Sequence, residues 1–195
     1  MFCVLPLFSG CVAPPVIQTT VVTTVFTEPI LGAGNTASKD FNLQGRVSIR
    51  NERQRFSSSV RWQHMGVFDE ILLLSPLGQA VARIQQDHNG ARLTTSEKRI
   101  YYAADVENLT EKFLGWRLPL NGLQYWIQGT HSPATSSVKD LDKEDRVVAI
   151  RQDGWQVFYN EYFSAQQTKI VRPKKLELNY KDLKIKLVVD NWIAE

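Results

Sequence analysis

Between residues 41 and 50 the chain alternates without a break. Phe41, Leu43, Gly45, Val47 and Ile49 fall on one side, and Asn42, Gln44, Arg46, Ser48 and Arg50 on the other. A period of two buries one face of a strand and wets the other, so this segment must lie on a sheet with a single apolar side. Phe56, Ser58, Val60 and Trp62 continue the pattern beyond the polar Asn51-Glu52-Arg53 turn. Ile71–Leu74 and Ala80–Ile84 flank Ser75-Pro76-Leu77-Gly78 and read as a hairpin. Further strands are expected near Ala91–Thr95, Arg99–Tyr102, Arg146–Gln152, Trp155–Tyr159, Leu176–Leu178 and Ile185–Val189, with Asp153-Gly154 a strong hairpin turn.

The pattern changes once. Val106, Leu109 and Phe113 follow helical spacing, with Asp105 placed as N-cap and Gly115 as stop. Leu120, Leu123, Trp126 and Ile127 make a second short amphipathic stretch closed by Gly129. Two helices interrupting an otherwise all-strand chain predict a mainly β fold, one curved antiparallel sheet or open barrel with a helical insert across it. The enclosed space is then either filled or hollow, and a hollow one binds something apolar. The five tryptophans carry the same two readings, since large aromatics build cores as well as pockets.

Both cysteines, Cys3 and Cys11, lie in the first eleven residues, which leaves the body without a disulfide or a Cys-based metal site. No charge precedes Glu28. The apolar run that ends Phe8-Ser9-Gly10-Cys11 reads as the end of a secretory signal and resembles the lipobox of bacterial lipoproteins, in which the cysteine carries the lipid. Val12 after the cysteine fits export to the outer membrane. The missing basic residues before the apolar run are expected if the record begins downstream of the true start. Residues 1–10 are thus assigned to the signal, 11–38 to a lipidated, Thr-, Pro- and Gly-rich tether in which Val21-Val22 and Val25-Phe26 leave a strand possible, and 39–195 to the folded domain.

Catalysis finds little support. No HExxH, GxSxG, Walker or GxGxxG pattern occurs, and His64, His88 and His131 lack joint metal-binding spacing. The Asp140–Arg146 charge run reads as a solvated loop. A net charge of +3 does not make nucleic acid a partner. Local charge is another matter: Lys169, Arg172, Lys174, Lys175, Lys184 and Lys186 crowd the C-terminal strands. They either protect a strand face or attract an anionic surface, a lipid or a protein. Ser75-Pro76-Leu77-Gly78 fits a type I turn, which puts Leu77 at the tip, either folded back or exposed.

In order along the chain, several pieces assemble into a resemblance. They are Gly45-Arg46, Trp62, Leu72-Leu73-Leu74-Ser75-Pro76-Leu77-Gly78, Leu118-Pro119-Leu120 with Leu123 and Trp126-Ile127, Asp153-Gly154-Trp155, and Asp190-Asn191-Trp192. From about Phe41 onward the chain resembles the LolB family of outer-membrane lipoproteins. The resemblance implies a half-barrel of about eleven antiparallel strands, a helical lid and an apolar acyl-binding cavity. Val60, Trp62, Leu109, Phe113, Leu123 and Trp126 are its expected lining. It implies a receptor that takes lipoproteins from a LolA-type periplasmic carrier and inserts them into outer-membrane phospholipid. No enzyme activity, cofactor or metal is implied, and the expected working form is a monomer. Leu77, between Pro76 and Gly78, occupies the place of the family's membrane-insertion loop, and Cys11 that of the lipidated residue. The alternative is a structural or lipid-binding lipoprotein of the same fold without transfer activity.

Overall fold

The computed structural model describes residues 20–30, 39–164 and 171–193. Twelve strands form one antiparallel sheet: β1 (Thr23–Thr27), β2 (Phe41–Arg50), β3 (Arg55–Met65), β4 (Phe68–Leu74), β5 (Ala80–Asp87), β6 (Gly90–Thr95), β7 (Ile100–Ala103), β8 (Ser137–Leu141), β9 (Val147–Gln152), β10 (Trp155–Tyr162), β11 (Pro173–Tyr180) and β12 (Leu183–Trp192). Helices α1 (Val106–Leu114) and α2 (Leu120–Trp126) stand between β7 and β8.

The spatial order is β1-β8-β9-β10-β11-β12-β2-β3-β4-β5-β6-β7. Two meanders are therefore joined at the middle, where the last strand, β12, pairs with β2. The outer strands are β7 and β1, and the helical insert carries the chain from β7 across the inner face to β8. Register shifts in β10, β12, β8 and between β4 and β5 bend the strands, as an extra residue in one partner does. Leu43, Ile49, Trp62, Ile84, Leu93, Leu178 and Ile185 point inward and are buried together with Val106, Leu109, Leu120 and Trp126 of the helices.

Local chemistry explains the insert. The Asp105 side chain accepts from the Asn108 backbone N–H, and Gly115 closes α1 in the left-handed region at φ 76°. Asp153 and Gly154 both have positive φ (52° and 79°), the backbone that a two-residue hairpin with the strands' own twist demands.

Within the segment assigned as tether, the strand that Val21-Val22 and Val25-Phe26 left possible forms as β1, giving twelve strands where about eleven were expected. Thr23–Thr27 is a β-branched run, and its edge pairing is fixed by the Thr24 hydroxyl, which donates to Asp140 Oδ1 at 2.8 Å. The expectation for the charge run needs correction, since it is not simply a solvated loop. Asp140 is a buried residue of β8 that accepts from Arg151 Nη1 and Nη2 at 2.7 and 2.8 Å, and buried Asp142 accepts from Arg146 Nε at 2.8 Å.

Candidate functional site

Between the sheet and the insert lies a space of about 40 Å³ lined entirely by apolar side chains. Val47 and Ile49 of β2, Val60 and Trp62 of β3, and Leu178 and Leu187 of β11 and β12 form part of its wall, and Trp116, Leu118 and Leu123 form its roof. Ligand pockets run to about 300–1,000 Å³, so in this conformation the interior is largely filled. An acyl chain enters only if the helices move away from the sheet.

Of the six residues expected to line a cavity, the structure brings three together around this space. Val60, Trp62 and Leu123 face the space. Leu109 does not, being fully buried in α1, which packs on β5, β6 and β7. Phe113 turns aside and stacks on Tyr101, ring centroids 4.0 Å apart. Trp126 lines a separate, partly polar groove of about 440 Å³ with Gly122, Trp155 and Tyr180. Helical spacing marks all three as apolar but does not tell a sheet-packed side chain from one beside a void. Trp116 and Leu118 were missed because they sit in the link between the helices. Their alternation around Arg117 was the available signal.

Polar anchors hold this wall and roof. The Trp62 indole donates to Asp69 Oδ1 at 2.7 Å, and the same oxygen lies 2.9 Å from His64 Nδ1; all three residues are buried. Phe41 stacks on the His64 ring and meets Trp62 edge-on. Trp62 is therefore fixed from behind while its apolar face meets the cavity. On the roof, Trp126 Nε1 donates to Gln152 Oε1 at 2.9 Å, and the Tyr159 hydroxyl donates to the Trp126 carbonyl at 2.8 Å. Burial drives the Tyr159 hydroxyl pKa well above the ordinary tyrosine value, so it stays a neutral donor. At its other end, α1 is tied down by Gln54, whose side-chain amide donates to the Leu114 carbonyl at 2.8 Å.

Leu77 is exposed, 86% of its surface being open to solvent. The Gly78 N–H donates to the Ser75 carbonyl at 2.8 Å, and Gly78 takes φ 78°. The expected turn has formed with its leucine directed away from the sheet. The C-terminal basic residues are less free than their count suggests. Lys174 and Lys175 both pair with Glu161, Lys186 pairs with Glu177 at 3.1 Å, and Arg172 lies over the Trp192 ring at 4.3 Å. Of that group, Arg172 and Lys184 have no carboxylate partner among the described residues. Cys11 and Lys169 lie outside the described residues.

An open antiparallel half-barrel roofed by two short helices over a purely apolar space defines a class of protein that shelters apolar groups on the inner face of a sheet. Residues 39–192 match the family "Outer membrane lipoprotein LolB". The "Outer-membrane lipoprotein LolB" of Nitrosomonas europaea is 50% identical over 186 residues, 95% of this chain and 87% of that one. The Thiobacillus denitrificans protein of the same name is 40% identical over 152 residues, 78% of this chain and 79% of that one. A DUF1329 family protein from Desulfovibrio piger shares the fold alone, with a TM-score of 0.52 at 9% identity over 87% of this chain and 94% of that one. The chain belongs to the LolB family of outer-membrane lipoproteins, which serve in lipoprotein localisation in Gram-negative bacteria.

Proposed function

We propose that the protein takes lipoproteins from a LolA-type periplasmic carrier, shelters their acyl chains between sheet and lid, and releases them into outer-membrane phospholipid. The cycle is one of binding and release, without catalysis or cofactor. Cys11 carries the lipid that holds the protein at the membrane, and Leu77 enters the bilayer at delivery. The observation that carries the reading is the wholly apolar space between Trp62 and Val60 on the sheet and Trp116 and Leu123 on the lid.

Energetics suit a reversible carrier. An acyl chain gains roughly 25 cal/mol for each Å² of apolar surface removed from water. Opening the filled interior withdraws part of that gain by parting the lid from the sheet. The net affinity is thereby moderated, which favours release to a bilayer.

The near-filled interior also supports a second reading, a structural lipoprotein of the same fold. A fluorescent fatty acid offered to the full chain carrying Cys11→Ala separates the two. Saturable retention, weakened by Leu123→Glu, is expected of a transfer receptor. Absence of retention identifies the structural protein.

A further inference from the structure

Cations without carboxylate partners gather on neighbouring hairpin ends. Antiparallel pairing sets Arg50 of β2 opposite both Lys184 of β12 and Arg55 of β3, so three cations stand side by side on the outer face. Arg53 lies in the β2–β3 turn, Lys98 in the β6–β7 turn and Lys181 in the β11–β12 turn. None of the six forms an ion pair among the described residues; elsewhere Arg46, Arg83, Arg117, Arg146 and Arg151 each have a carboxylate, while Arg61, Arg92, Lys112 and Lys139 have none, so it is the side-by-side placement of the six that sets this end apart. Like charges directly opposite across strands are destabilising, so the row Lys184–Arg50–Arg55 costs stability that an external anion would restore.

These turns share one end of the sheet with Leu77. Strand order puts the β11–β12, β2–β3, β4–β5 and β6–β7 turns in sequence along that end. At about 4.8 Å per strand, neighbouring turn centres lie roughly 10 Å apart. Near Leu77 stand two more exposed apolar side chains, Val81 (37%) and Ile100 (48%), and the Ser96 N–H donates to the Val81 carbonyl, which brings the β6–β7 turn against the start of β5. Carboxylates on the four turns are Glu52, Asp182 and Glu97, the last already paired with Arg99.

We propose that these four turns form a docking face for an anionic bilayer. Lys184, Arg50, Arg55, Arg53 and Lys98 bind lipid phosphates while the apolar tip at Leu77 enters the interface. Cations without ion pairs among the described residues, set beside an exposed leucine, match a surface that is anionic outside and hydrocarbon beneath, and an acidic protein offers only the first. The proposal rests on the reading of Leu77 as the residue that enters the membrane.

The test uses the full chain carrying Cys11→Ala, so that no acyl anchor contributes, and measures co-sedimentation with vesicles. Binding is expected to vesicles of phosphatidylcholine with phosphatidylglycerol, not to phosphatidylcholine alone, and to fall at high salt. At about fivefold per cation, Arg50→Gln, Arg55→Gln and Lys184→Gln together weaken it roughly a hundredfold. Arg53→Gln with Lys98→Gln is a second, independent variant that lowers binding about 25-fold on the same scale. Lys39→Gln with Lys143→Gln, at the other end of the sheet, leaves it unchanged. Circular dichroism checks that each variant is folded. Equal binding to neutral and anionic vesicles overturns the proposal, as does a triple variant that binds like its parent. A triple variant that binds vesicles normally but accepts client slowly from the carrier also overturns it, by assigning the face to an acidic protein. Client incorporation by Leu77→Glu reads the underlying assignment separately. Its loss, with charge-independent vesicle binding, leaves that assignment standing and removes the docking face.

Discussion

Leu77 stands outward because its turn is closed by backbone and not by packing: Pro76 fixes one φ, and the Gly78 N–H bonds the Ser75 carbonyl. An exposed leucine that leaves water gains about 1.5–3 kcal/mol. That is too little to anchor a protein, yet enough to bias its approach to a bilayer. A carboxylate there costs up to about 3.5 kcal/mol at depth. Leu77→Glu is therefore expected to fold and to accept client but to leave it unincorporated in liposomes, which an assay separating acceptance from incorporation reads directly. Gly45 shows the opposite logic. A Cβ at this position would lie 2.3 Å from the Val188 carbonyl oxygen, where β2 meets β12 at the centre of the sheet. Gly45→Ala must part the two strands, and a loss of about 1–3 kcal/mol is expected in urea unfolding. Both residues were visible in the sequence, Leu77 from its turn and Gly45 as a glycine on the buried face of a strand. The close approach of the neighbouring backbone at Gly45 was not, because it depends on a pairing between residues more than 140 positions apart.

Among the elements, those set by local chemistry were legible. Asp105 and Gly115 bound α1 where capping preferences put them, and Asp153-Gly154 turns where two positive φ values are needed. Strand β8 was not legible, and the edge strand β1 was legible only as a possibility, since their stabilisation is remote. Asp140 sits in a charged run and is suited to a sheet only because pairing brings Arg151 and Thr24 to it. The cavity lining divides along the same boundary. Periodicity shows which side chains turn inward, but not which of them lack a neighbour. How the lid is held is likewise a tertiary fact, and it makes a prediction. Gln54 donates to the Leu114 carbonyl, one of the orphan acceptors at the C-terminus of α1, and Asn51 Nδ2 donates to the Gly115 carbonyl at 3.4 Å. Gln54→Ala removes a bond worth about 1 kcal/mol. Amide exchange in the last turn of α1 is expected to quicken roughly fivefold while global stability changes little, and uptake of an acyl probe should speed up if the lid must lift. Unchanged exchange would assign the closed lid to packing by Trp116 and Leu118 alone.

For the whole molecule, the two meanders are held by different means, and pH separates them. In the β2–β7 half the buried carboxyl, Asp69, is held by Trp62 and His64 and not by an Arg or Lys. In the half from β8 to β12, carboxylates clamp neighbouring strands, Asp140 to Arg151 and Glu161 to Lys174 and Lys175, and Asp142 to Arg146 closes the β8–β9 loop. Hydrogen bonding from Arg151 lowers the Asp140 pKa, and bonds from Lys174 and Lys175 lower that of Glu161. Burial opposes ionisation of Asp142, but its hydrogen bonds from Arg146 and Glu144 prevail and its pKa also falls. A carboxylate whose folded pKa lies below its unfolded value near 4 binds fewer protons in the folded state. Stability therefore rises with pH through this window. It is fully present above about pH 5 and is lost as pH falls through the lowered folded values. Because Arg151 and Arg146 are about two-fifths exposed, solvent screens each pair, and the dependence is a sum of modest parts. Asp140→Asn isolates one part, removing the charge while keeping a side chain that accepts from Thr24. Urea unfolding at a series of pH values is expected to show a variant less stable than the parent at pH 7, with the difference narrowing as pH falls below the ordinary aspartate range and the parent's Asp140 takes up its proton. Edge-strand amides of β1 and β8 should lose protection before those of β3 and β4. A difference that stays constant from pH 7 to 3 would show that Asp140 acts through shape and not charge, and would remove the ionic clamp from the account of this edge.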